Sequence, residues 1–160
     1  MTKRKILFFD IDWTLISEVN NQIPESTKIA LKKAQKNGHI TIINTGRTRA
    51  LVEPRLEDMG FDGYICGCGT YIEVNGKVLY HKSIEKSKYR EILNFLNENE
   101  METIIEGEKA IFMDYDSKSE DVQAIIKNFE KRGFPMKPYT SDELYFDKFF
   151  ATLKNSDKLD

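Results

Sequence analysis

Three short apolar runs, each followed at once by polar or glycine residues, constrain this chain most. Ile6-Leu7-Phe8-Phe9 runs into Asp10, Thr41-Ile42-Ile43 into Asn44-Thr45-Gly46-Arg47, and Tyr64-Ile65-Cys66 into Gly67. An unbroken apolar run of this length is expected of a strand covered on both faces, as in a parallel sheet. Helical patterns separate the runs. Pro24 opens the first, with Ala30, Leu31 and Ala34 on one side and lysines on the other, and Asn37-Gly38 is a helix stop. The second is shorter and contains Pro54, where a break or fresh start is expected, and Gly60 closes it. Strand, helix, strand, helix, strand at this spacing predicts right-handed crossovers and an α/β fold with a parallel sheet.

The pattern then changes. Tyr71 to Val74 and Lys77 to Tyr80 flank Asn75-Gly76, a strong signal for a two-residue hairpin turn. Tyr89, Ile92, Leu93 and Leu96 lie at helical spacing, as do Val122, Ile125, Ile126 and Phe129. Ser117 with Glu120 is the expected capping box of the later helix, and Gly133 its end. Glu102 to Ile105, Lys109 to Asp114 and Tyr145 to Leu153 read as strands. Residues 83–160 are therefore expected to form an α+β unit distinct from residues 1–82.

Composition removes several function classes. Lys plus Arg is 24 against 26 for Asp plus Glu, a net charge of −2, without the basic excess of a nucleic-acid binder. No apolar run approaches the ~20 residues that span a bilayer, so no membrane role is expected. The apolar stretch near the N-terminus is too short for a signal peptide. Cys66 and Cys68 are the two cysteines and stand too close along the chain for a structural bridge; a reducing cytoplasm is the expected compartment. The cysteines read as small buried residues at a strand end rather than a metal or redox pair, because no His or further Cys lies at ligand spacing, and His39 and His81 read as surface or strand-edge residues. The length of 160 residues suits one domain, or one domain and part of another.

The chemistry lies at the ends of the apolar runs. Ligands of open α/β sheets bind outside the carboxyl ends of strands. Two carboxylates crowded there repel unless a cation lies between them, and Mg²⁺ prefers hard oxygen ligands. In an extended segment Asp10 and Asp12 would point the same way, one placed to attack phosphorus and the other to act as acid and base. Alone, an Asp-x-Asp is more often an ordinary solvated turn; the apolar strand before it and Thr14-Leu15 after it favour the chemical reading. Thr45, Gly46 and Arg47 supply a hydroxyl, an unobstructed amide and a guanidinium, a set suited to phosphate. A helix starting just after Thr45 would add its dipole. A plain strand-to-helix turn explains these three residues equally well when they are taken alone.

Phe9-Asp10-Ile11-Asp12-Trp13-Thr14-Leu15 followed by Ile43-Asn44-Thr45-Gly46-Arg47 resembles the haloacid dehalogenase (HAD) superfamily, and within it the Cof-type phosphatase branch. Cys66-Gly67-Cys68-Gly69-Thr70 before a hairpin matches that branch's third strand. The resemblance implies a HAD-like Rossmannoid parallel sheet, present in part over residues 1–82, and the first part of an inserted α+β cap over residues 83–160. It implies a Mg²⁺-dependent phosphatase, a hydrolase of small phosphorylated metabolites such as sugar phosphates, working through an aspartyl-phosphate. Asp10 would be the nucleophile and Asp12 the acid and base. The Asp10 side chain and the Asp12 carbonyl would hold Mg²⁺. Thr45 and Gly46 would hold the phosphoryl group, and Arg47 would help hold the substrate.

Three departures accompany the resemblance. Trp13 stands where the branch usually has Gly, and its ring is expected to pack somewhere. Cys68 replaces a common Asn. The superfamily's Lys motif and second acidic motif are not found: Tyr80 to Asp160 contains no Gly-Asp pair, and neither Lys148 nor Lys154 takes the Lys role. An alternative expectation is thus a truncated, catalytically incompetent fragment with at most phosphate or partner binding. A phospho-accepting receiver domain is weaker still, since it leaves Thr45-Gly46-Arg47 unexplained. If the sheet stops at three core strands, the first becomes an exposed apolar edge, and self-association is expected.

Overall fold

The computed structural model describes residues 3–139 and 147–153. Its contacts separate into two compact units, residues 1–47 with 55–81, and residues 48–54 with 82–160.

The first unit is a sheet in the order β1-β2-β3-β4-β5. β1 (Ile6–Phe9), β2 (Ile40–Asn44) and β3 (Gly63–Cys66) are parallel, and β4 (Tyr71–Val74) and β5 (Lys77–His81) complete it antiparallel. The parallel order follows from the crossovers, because α1 (Glu25–Lys36) carries the chain back between β1 and β2. Leu31 is the buried residue of α1, whereas Ala30, expected beside it, is exposed. Pro54 starts α2 (Pro54–Glu57) after a 3₁₀ turn over Arg49–Leu51, so the break falls where proline's missing N–H predicts. Polar bonds align the starts of the strands. The Thr41 amide and hydroxyl both donate to the Asp62 carboxylate, at 2.7 and 3.0 Å, and the Asp62 amide donates to the Thr41 carbonyl.

The β4–β5 hairpin turns at Asn75 (φ 50°) and Gly76 (φ 72°), the paired positive φ values that make this dipeptide a turn signal. Gly63 answers to a different constraint. A Cβ built there would lie 2.5 Å from the Glu73 carbonyl oxygen, because β4 runs directly against it.

β1 departs from the expectation of two covered faces. Ile6 is 52% and Phe8 56% exposed, while Ile42 and Ile43 of the adjacent β2 are buried. Among the described residues β1 pairs with β2 alone. An apolar run therefore marks a strand designed for burial but does not show that a neighbour covers it.

The second unit has the sheet order β8-β7-β6-β9. α3 (Lys86–Glu98) precedes β6 (Met101–Glu106) and β7 (Ile111–Met113); α4 (Glu120–Arg132) leads to β8 (Met136–Pro138), with β9 (Lys148–Leu153) last. β7 is shorter than the Lys109 to Asp114 expectation, and the Tyr145–Phe146 start of the last expected strand lies outside the described residues. Ile104, Ile111, Met113, Val122, Ile126 and Phe134 form one apolar cluster, joined by Ala50. Tyr89, Ile105, Ala110 and Phe112 form another. α4 ends at Gly133 as expected, but its cap is Ser119, whose hydroxyl accepts from the Val122 amide at 3.5 Å. Ser117 instead donates to the Glu102 carboxylate at 3.0 Å and accepts from the Ser119 amide. The capping box failed because two serines compete at this start, and the buried carboxylate claims the first.

Candidate active site

Past Phe9 the chain stops being a strand but keeps its alternation for two residues. Asp10 is exposed, Ile11 fully buried and Asp12 exposed. The Asp10 carboxylate accepts from the Ile11 amide at 2.8 Å. The Ile11 carbonyl accepts from the Thr14, Leu15 and Ile16 amides at 3.4, 3.1 and 3.0 Å, which winds the segment into a tight loop. Continued alternation would send residue 13 into the core. Trp13 has φ 62° instead, and its ring is 77% exposed, so the expectation that it packs is not met.

The second motif is held from both sides. The Thr45 amide donates to the Ile65 carbonyl at 2.9 Å, and the Thr45 carbonyl accepts from the Cys68 amide at 3.3 Å. The Gly67 amide donates to the Arg47 carbonyl at 2.7 Å. Thr45 is buried, and its hydroxyl oxygen accepts from the Arg47 amide at 3.2 Å. No α-helix follows: the next element is the three-residue 3₁₀ turn Arg49–Leu51, too short to supply a helix dipole. Cys68 has φ 55°, the left-handed conformation that asparagine tolerates better than cysteine. It is exposed and Cys66 is buried, so only the second fits the expectation of small buried thiols; neither is in a disulfide.

Arg47 joins the two motifs. Its Nε donates to one Asp12 carboxylate oxygen at 3.0 Å and its terminal nitrogen to the other at 2.6 Å. This forked geometry suits a carboxylate, and would suit a phosphate equally. Arg47 is largely buried and Asp12 half-exposed, so the pair contributes at most about 1 kcal/mol to stability. Its larger consequence is orientation. It brings together two motifs that lie 35 residues apart in sequence.

The donor set fits a hard divalent cation that retains several waters: the Asp10 carboxylate is exposed, and the Asp12 backbone carbonyl lies two residues on in the same tight loop. Among the described residues, no cluster of three or more His, Cys, Asp or Glu gathers that could hold a metal alone. A separate cavity of about 310 Å³ is lined by Ile23, Leu31, Lys28, Lys32, Arg55 and Asp58 among others. None of the predicted site residues lines it. The i, i+3, i+4 spacing of Lys28, Leu31 and Lys32 was the available signal for their shared face.

The haloacid dehalogenase-like hydrolase family matches residues 7–160. YkrA of Bacillus subtilis strain 168, a candidate phosphatase by its name, is 28% identical over 89% of this chain and 53% of its own. A Geobacillus kaustophilus HTA426 protein described only as hypothetical has a similar fold, with a TM-score of 0.77 and 24% identity over 93% of this chain and 57% of its own. The HAD subclass IIB sugar phosphatase BT4131 has a TM-score of 0.64 and 28% identity over 85% of this chain and 53% of its own. The chain thus spans about half the length of these relatives. Among the described residues, no helix is long and apolar enough to cross a membrane.

Proposed function

Because the chain belongs to the haloacid dehalogenase-like hydrolase family, we propose that it carries the nucleophile and phosphate-binding part of a Mg²⁺-dependent phosphatase acting on small phosphorylated metabolites such as sugar phosphates. The observation that carries this reading is the forked Arg47–Asp12 pair, which places the Asp-x-Asp loop beside Thr45-Gly46-Arg47.

The chemistry balances with this chain's own groups. An Asp10 oxygen attacks phosphorus, forming an acyl phosphate as the ester P–O bond breaks. Asp12, as the carboxylic acid, gives its proton to the departing alkoxide. The Asp12 carboxylate then takes a proton from water, which attacks phosphorus; the acyl phosphate opens to free Asp10 and inorganic phosphate. Arg47 holds both Asp12 oxygens, so Asp12 cannot reach a leaving group while the fork is in place. Arg47 therefore exchanges Asp12 for the phosphate dianion when substrate binds, which places the cation on the phosphate and frees Asp12 to carry a proton. Thr45 and the Gly46 amide hold the phosphoryl oxygens. The Asp10 carboxylate and the Asp12 backbone carbonyl would hold Mg²⁺, whose contribution when bound is to neutralise charge between carboxylate and phosphate.

In this reading residues 1–82 are part of the catalytic domain and residues 83–160 part of a cap, in a cytoplasmic protein. Among the described residues β1 is an edge strand, and its Ile6 and Phe8 side chains also face solvent; both features favour self-association of the isolated chain. Light scattering tests that point: a monodisperse monomer would count against it. Turnover of a generic phosphomonoester with Mg²⁺ tests the enzyme, on this chain and on any longer product of its gene. Asp10→Asn is expected to lower kcat by roughly 10⁴-fold or more. Full turnover in that variant would sink the aspartyl-phosphate route.

A further inference from the structure

Trp13 lies between Asp12 and Thr14 in the loop that carries both carboxylates, and its conformation is disfavoured twice. Its φ of 62° is left-handed, which bulky side chains rarely adopt. Its ring is 77% exposed, the most of any aromatic among the described residues that leave large apolar groups in solvent. The backbone alternation that buries Ile11 would have buried residue 13 as well, and the chain meanwhile fills its core with Leu15 and Ile16. The loop thus accepts a strained backbone, and the result is a large flat ring held out in water. Strain of this kind persists where the surrounding structure over-determines it, and it gathers at sites of function.

We infer that Trp13 is a substrate-recognition residue, whose indole stacks on a flat ring in the organic part of the phosphorylated substrate. This rests on the phosphatase reading for the identity of the reacting group, but the stacking itself is a binding property. The phosphoryl group must lie within reach of Asp10, which is three residues away along a tight loop closed on the Ile11 carbonyl. The leaving group extends outward from there, because Ile11, Leu15 and Thr45 close the buried side. An exposed indole offers that group a flat apolar face and an N–H donor. Two ring chemistries present a matching face: the C–H face of a sugar and the π face of a heteroaromatic base. A leaving group without a ring offers neither.

The chain contains one tryptophan, so its emission reports this residue alone. The Asp10→Asn protein, which binds without turnover, is titrated with hexose 6-phosphate, with a nucleoside 5′-monophosphate and with glycerol phosphate, Mg²⁺ present throughout. A saturable change in emission is expected with at least one ring-bearing compound and not with glycerol phosphate; which of the two gives it distinguishes sugar from base. In the Asp10→Asn background, Trp13→Ala is expected to lower the preference for that compound over glycerol phosphate by roughly tenfold, measured calorimetrically, and Trp13→Phe to restore most of it. Trp13→Gly relieves the backbone and is expected to lose the same preference, which a purely structural role would not produce. No emission change with either ring-bearing compound, or an unchanged preference in Trp13→Ala, overturns the inference. If the wild-type protein turns over none of the three while the emission change persists, the phosphatase reading fails and the stacking stands. If it turns over all three with equal preference before and after Trp13→Ala, the stacking fails and the phosphatase reading stands.

Discussion

In the unit built on β1–β5, Asp10 and Asp12 stand exposed at the end of a strand, and Ile6 and Phe8 face solvent beside them. In the unit built on β6–β9, Glu53, Glu102 and Glu106 are buried, and each accepts from a partner of its own unit: Arg132 at 2.5 Å, the Ser117 hydroxyl at 3.0 Å and the Thr48 hydroxyl at 3.3 Å. The same functional group therefore does two jobs. A carboxylate taken from water must be compensated in place, so its partners are structural and their loss is costly. A carboxylate left in water does not depend on its partner for hydration, so even Asp12, forked to Arg47, can exchange that partner for a cation or a substrate at little cost in stability. Burial separates these roles where residue type cannot.

The comparison breaks if the two classes respond alike to the loss of charge. The largest stability effect is expected at Glu53→Gln, which leaves Arg132 without its buried anion and should cost about 3 kcal/mol, read as faster hydrogen exchange in β6 and β7. Asp10→Asn, which is expected to cripple the proposed turnover, should change stability by less than about 0.5 kcal/mol in denaturant titrations. A cost above 2 kcal/mol for Asp10→Asn would place that carboxylate in the structural class.

A pH test sharpens the contrast for the second unit. Burial, and then the negative charge of Asp114, push the Tyr139 phenol up from its ordinary value. A group whose folded pKa is raised keeps its full contribution below the unfolded value and loses it as pH rises. Above about pH 10 the unfolded chain releases this proton and the folded one retains it, so stability should fall by up to about 1.4 kcal/mol per pH unit. Tyr139→Phe should flatten that slope in a denaturation series from pH 9 to 11.

Smaller effects are expected at two backbone positions, with opposite signs. Trp13→Gly removes a left-handed tryptophan and should stabilise the first unit by about 1 kcal/mol. Ser119→Ala removes the α4 cap and should destabilise the second by about 1 kcal/mol, while Ser117→Ala should act through Glu102 rather than through helix α4. Thermal melts of the three variants compare these signs directly.

Local signals were legible wherever one or two residues dictate a conformation. Asn75-Gly76 specified its hairpin, Pro54 its helix start and Gly133 its helix end, because each limits φ by itself. Asp10, Asp12, Thr45, Gly46 and Arg47 were legible as residues just past strand ends, because an apolar run stops shortly before each group. What was not legible depended on neighbours distant in sequence. The apolarity of Ile6 to Phe9 says what the strand wants, not whether another strand lies beside it. The Ser117 and Ser119 competition is decided by Glu102, which lies on a different element. Arg47 suits phosphate and carboxylate equally, and only the fold shows that Asp12 meets it. The exposure of Trp13 follows from a single backbone angle that no periodicity reports.

Gly63 bears on how this sequence can vary. Its missing side chain leaves the space that the Glu73 carbonyl occupies, and even a methyl group would come within 2.5 Å of that oxygen. Any side chain at this position requires the β4 backbone to shift away from β3. Gly38, Gly60 and Gly76 have nothing within 4 Å of an added Cβ and are limited by φ alone, so asparagine is a viable replacement there. In a saturation library of this gene, position 63 should return glycine and nothing else, while the turn glycines return a short list of residues. The strand that follows the Thr45-Gly46-Arg47 loop thus begins at a point where added side-chain volume is least tolerated.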